Sequence, residues 1–151
     1  MQIEKGEITI KARIIASQPE TAVLYHLEAE TEEGAAIRAL LSQRQIEARE
    51  LPEASLGQSV AAFLESPQPQ PVKETPYEGA VILFSGVEPK KQQETLRAMR
   101  SAGLALGAIK AVVTPTNRSW TFERLFAELS AEHAAMAAAK TAGHKGTVKN
   151  G

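Results

Sequence analysis

The stretch SPQPQPVKETPYE, residues 66–78, constrains this chain more than any other. It holds four of the eight prolines, Pro67, Pro69, Pro71 and Pro76. Proline fixes its own φ and lacks an N–H, so closely spaced prolines favour extended, polyproline-like backbone and reject helix and central strand. Residues 67–77 are therefore expected to be a linker between an N-terminal part, 1–66, and a C-terminal part, 78–140. At 151 residues the chain has room for one ordinary domain or two very small ones. Parts this short bury little surface alone, so they are expected to pack on each other or on a second copy.

Charge divides at the same place. Residues 1–78 carry 13 Glu against 7 Lys and Arg, whereas residues 79–151 carry 5 Glu against 10. Two readings follow: the halves attract one another, within the chain or across a dimer, or the C-terminal half meets an anionic partner.

Absences narrow the chemistry. No cysteine means no disulfide, thiolate nucleophile or cysteine-based zinc site. All 18 acidic residues are Glu, and the Asp on which magnesium and calcium sites lean is missing. His26, His133 and His144 share no ligand-like spacing. No metal and no cofactor are expected. The N-terminus lacks the apolar run of a secretory signal, and no window approaches the roughly 18 apolar residues of a membrane span. A cytoplasmic protein of bacterial type, without a membrane partner, is expected.

In the N-terminal part, EITIKARIIAS and AVLYHLEAE have the β-branched content and partial alternation of strands. TEEG, residues 31–34, reads as a turn. AAIRALLSQRQIEARE fits a helix through Ile37, Leu40 and Leu41, and AIRALL fits a strand equally well. LPEASLGQSVAAFLES gives a turn and then a strand around Val60 to Leu64. This order suits a small β-barrel. Over residues 6–66, GEITIKARII and SLGQSVAAFLES resemble the opening and a late strand of the OB-type RNA-binding barrel repeated in a large ribosomal protein. The resemblance implies barrel topology and RNA binding. That family's second strand carries a Gly-flanked aromatic for base stacking, where this chain offers Tyr25 and His26 in acidic surroundings.

The C-terminal part reads as βαβα. GAVILFS, residues 79–85, is a short buried strand, and Pro89 stands at the expected first helical position before KKQQETLRAMRSA, which Gly103 stops. IKAVVT is a second strand ending at Thr114. A last helix opens at Trp120 or Thr121, with Phe122, Leu125, Phe126, Leu129, His133 and Met136 along one face. Residues 141–151 have nothing to bury and are expected to be a disordered tail.

The run KAVVTPTNRSWT, with VILFSG before it, is similar to a bacterial family of small domains known as domain of unknown function 3783. The resemblance spans Gly79 to His133 and implies a fold but no activity. The family pattern places an acid three residues after the helix-opening Thr; here Arg124 stands there, and Glu123 precedes it.

Three readings of this loop stay open. As a joint, Pro115 ends the strand, Asn117 turns the chain, Ser119 or Thr121 caps the helix, and Trp120 covers the core. As a cradle, Thr114, Thr116, Asn117, Arg118, Ser119 and Trp120 gather donors at a helix N-terminus, fit for a phosphate, a carboxylate or a partner's C-terminus. As an enzyme site, a Ser or Thr there needs a base, and His133 is the nearest in sequence. Lys90, Lys91, Arg97 and Arg100, with Lys110 and Arg124, form a candidate basic surface. The expected protein is α+β: a mostly-β, barrel-like N-terminal half packed with a βαβα half. Its expected role is a non-catalytic binding or protein-interaction module that self-associates or meets a protein partner. An RNA-associated protein or anion binder is the alternative, and a small enzyme at the PTN loop the second.

Overall fold

The computed structural model describes residues 19–73 and 77–150. In chain order the elements are β1 (Thr21–Tyr25), α1 (Glu32–Gln43), β2 (Glu47–Glu50), α2 (Val60–Glu65), β3 (Val81–Ser85), α3 (Pro89–Ser101), β4 (Ile109–Val112) and α4 (Phe122–Asn150). One-turn 3-10 helices, Glu53–Ser55 and Asn117–Ser119, precede α2 and α4.

The strands form one sheet in the order β2-β1-β3-β4. β1 runs parallel to β2, β3 parallel to β4, and the central pair β1–β3 is antiparallel. Both central strands are covered on both faces, which explains why TAVLY and VILF read as continuous apolar runs. On one face Ala22, Leu24, Ile82 and Phe84 pack with Ile37 and Leu41 of α1 and Met99 of α3. On the other, Val23, Tyr25, Val81 and Leu83 pack with Val60 and Phe63 of α2 and Phe122, Leu125 and Phe126 of α4. The result is three layers, helix, sheet, helix.

The two halves repeat one plan: strand, helix, strand, 3-10 turn, helix. Four of the five left-handed positions among the described residues coincide, Ala105 being the exception. The residue after each central strand is left-handed, His26 at φ 59° and Gly86 at φ 75°. So is the residue after the cap of each first helix, Gln45 at φ 60° and Gly103 at φ 75°. Val23 pairs with Leu83, the same position of the other half. Ser59 pairs with Thr121, each the residue before its half's last helix. Residues facing their own counterparts lie on a pseudo-two-fold axis through the seam of the sheet.

Several N-terminal expectations give way here. Residues 60–64, read as a strand, are helical: Ser59 caps α2, its Oγ accepting the Ala62 N–H at 3.2 Å, and Val60 and Phe63 bury one helical face. The ambiguous stretch resolves as a helix followed by a strand. Residues 19–66 thus supply two strands to a shared open sheet and close no barrel; GEITIKARII lies outside the described residues.

The proline-rich stretch is pinned at Gln70 by its backbone. Gln70 exchanges two backbone hydrogen bonds of 2.6 Å, donating to Ala54 O and accepting from Gly57 N. The approach needs a glycine, since a Cβ on Gly57 would meet Gln70 O at 2.5 Å.

Helix α4 runs through Asn150, into the segment whose composition suggested a disordered tail. Its 29 residues span about 44 Å at 1.5 Å each, against roughly 17 Å for a five-residue strand. It therefore outruns the sheet. His133 and Met136, expected on the buried face, are exposed.

Candidate functional site

The PTN loop follows β4, an edge strand. Ile109 N donates to Ala80 O and Val113 N to Phe84 O, so alternate residues bond β3 and those between face outward. Val112 O and Thr114 N therefore point at the open edge. Asn117 fills it: its Nδ2 donates to Val112 O at 3.1 Å, and its Oδ1 accepts from Thr114 N at 2.9 Å. The side-chain amide occupies the position a neighbouring strand's peptide would take. Asn117 N in turn donates to Thr114 Oγ1 at 3.0 Å, and Arg118 N to Thr114 O at 3.1 Å.

These bonds divide the predicted site. Thr114 and Asn117 are half-buried and spent on the loop itself, while Pro115, Thr116, Arg118 and Ser119 stand exposed. Trp120 is half-buried against the core cluster of Phe122 and Phe126. Thr121 caps α4, its Oγ1 accepting from Arg124 N at 3.1 Å. Arg124 lays its guanidinium 4.1 Å from the centre of the Trp120 ring.

The expected basic surface is only partly assembled. Lys91 pairs with Glu20 across the seam between the halves. Lys110 Nζ donates to Ala105 O. Burial, and secondarily the Arg100 charge, holds the Lys110 pKa below its ordinary value. Lys90, Arg97 and Arg100 are exposed on α3. His133 lies about three turns along α4 from the loop, so the structure does not bring it to Ser119 or Thr116.

At the opposite end of the sheet lies a cluster that sequence spacing could not reveal. His26 Nδ1 is 3.1 Å from both Glu78 O and Gly79 O, and Nε2 is 2.8 Å from Glu53 Oε2. Its ring stacks on Tyr25 with centroids 3.8 Å apart. The buried Tyr25 hydroxyl donates to Tyr77 O at 2.7 Å. Burial, with Glu53 nearby, pushes the Tyr25 pKa up to about 12. These contacts clasp the end of the proline-rich stretch to β1 and the first 3-10 turn. The partners lie 27 and 52 residues or more from His26, with no motif linking them. Among the described residues no three His or Glu side chains gather as a metal site, and no helix is long and apolar enough to cross a membrane.

The fold and loop define a small three-layer α+β module with a capped sheet edge. Residues 80–136 match the family model of domain of unknown function DUF3783, less than half of the chain. The matched segment begins beside β3 and ends within α4, so it coincides with the second structural repeat. No curated protein and no solved structure matches the chain.

Proposed function

We propose that the protein is a non-catalytic binding module that presents the Thr114–Trp120 loop to a protein partner. One observation carries this reading: the loop is held by its own hydrogen bonds. Asn117 closes both bonds to the β4 edge and Thr114 closes the turn, so Thr116, Arg118 and Ser119 stand outward on a fixed frame. A surface ordered in advance loses less conformational freedom on binding. Lys90, Arg97 and Arg100 of α3 form the second contact surface.

The alternative is an RNA or other anionic partner held by those cations. Size-exclusion chromatography with light scattering and two-wavelength absorbance separates the two. The protein reading expects a peak free of nucleic acid at low salt. Nucleic acid that co-elutes at low salt and leaves at high salt, and that is lost when Arg97 and Arg100 are replaced by Glu, overturns it in favour of the alternative.

A further inference from the structure

The sheet has two edges, and the fold treats them differently. Along β2, Glu47 N donates to Glu20 O and Leu51 N to Leu24 O, so alternate residues bond β1. Ala48 and Glu50, between them, turn their peptide groups outward. Among the described residues nothing bonds those groups. Arg38 and Arg49 engage the carboxylates of Glu50 and Glu47, not the backbone of the edge. The Ala48 side chain, packed against the cluster under α1, is only partly buried.

The device that closes the β4 edge has no counterpart on β2. Thr114 and Pro52 each stand two residues after their strand, and Asn117 and Ser55 three residues further on. Asn117 covers Val112 O and Thr114 N. Pro52 has no N–H to cover, and Ser55 is buried with its hydroxyl donating to Gln68 O at 2.8 Å. Glu50 O, the counterpart of Val112 O, is left for something outside the two repeats.

We propose that residues 7–14 of this chain, EITIKARI, pair antiparallel with β2 and close that edge as a fifth strand. Ile8, Ile10, Ala12 and Ile14 alternate with polar residues without a break, the pattern of a strand covered on one face. The connection fixes the edge and the direction. β1 and β3 already have neighbours on both sides, and the β4 edge is closed by Asn117. The place beside β2 is two strand spacings from β1, about 10 Å. Residues 15–20 reach up to about 20 Å, enough for that crossing but too few for the long return that parallel pairing needs. This closure goes beyond the loop reading and does not rest on it.

Amide hydrogen exchange, read by nuclear magnetic resonance on the full chain, tests the pairing. The Ala48 and Glu50 N–H groups should exchange on the order of a hundredfold more slowly than free peptide. Ile10→Pro together with Lys11→Pro should return them to the free rate, since one of two neighbouring N–H groups must face β2 and proline has none. Amides of β1 and β3 should stay slow in that variant, which marks the loss as local. In the unaltered chain, nuclear Overhauser contacts from the Ala48 and Glu50 amides should run to residues 7–14. Contacts to any other segment overturn the proposal without recourse to a variant. Free exchange of both amides in the unaltered chain overturns it, and so does protection that survives the double proline. Protection that dilution removes also overturns it, because a second copy would then hold the edge.

Discussion

Ser59 and Thr121 each cap a helix and also pair with one another, in an antiparallel bridge between the halves. Ser59 Oγ accepts from Ala62 N and Thr121 Oγ1 from Arg124 N, three residues on in both cases. Beside them Val60 N donates to Trp120 O at 2.9 Å, and Phe122 N donates to Gln58 O at 3.1 Å. The starts of the two helices are tied to each other. Ser59→Ala and Thr121→Ala should each cost about 1 kcal/mol in urea unfolding. Because the sites touch, the double variant should depart from the sum by about 0.5 kcal/mol or more. Strict additivity would mean that the bridge does not couple the two halves.

Asn117→Ala removes the amide that closes the β4 edge. It leaves Val112 O and Thr114 N without their partner, and destabilisation of about 1–3 kcal/mol is expected. The uncovered apolar edge, with Val112 already 40% exposed, should then promote association that grows with concentration. Denaturant unfolding gives the first quantity and light scattering the second. A variant of native stability that stays monodisperse would remove the edge-capping role.

His26 holds a left-handed backbone that its counterpart fills with Gly86. His26→Gly and His26→Ala lose the same contacts to Glu53, Glu78 and Gly79, but only alanine retains the strain. The alanine variant should therefore be less stable than the glycine variant by about 1 kcal/mol. Equal stability would show that the strain is relieved elsewhere.

Tyr25 should titrate late. Its folded pKa of about 12 lies above the ordinary value of 10.0 that holds when the chain is unfolded. The neutral phenol is the form the fold favours, so its contribution is fully present below pH 10 and declines as pH rises towards 12. Ultraviolet titration should show a late phase that Tyr25→Phe removes, and that variant should flatten the alkaline loss of stability. An ultraviolet titration that Tyr25→Phe leaves unchanged above pH 10 would contradict the buried hydroxyl.

Much of the C-terminal half was legible because its signals are local. Pro89 opens a helix at the position where the missing N–H costs nothing, and Gly103 supplies the left-handed stop. VILFS and IKAVV announce strands by β-branched and aromatic content. Asn117 was readable as a turn residue, but its role as a surrogate strand depends on which β4 groups face outward. That is settled by pairing with β3. The N-terminal half was harder because the short run VAAFL satisfies both strand and helix patterns. The Ser59 cap and the burial of Val60 and Phe63 on one face, with Phe63 meeting the Phe122 ring edge-on at 5.3 Å, decide for helix.

The sequence by itself determined the βαβα order after the proline-rich stretch, the opposite charges of the halves and the cysteine-free chemistry. These follow from backbone dihedrals, periodicity and composition, which act over a few residues. Tertiary structure decided that the halves share one sheet, that His26 reaches Glu53, and that α4 outruns its cover at Ala131. Each depends on contacts between residues far apart in the chain, whose geometry exists only once β1 and β3 have paired.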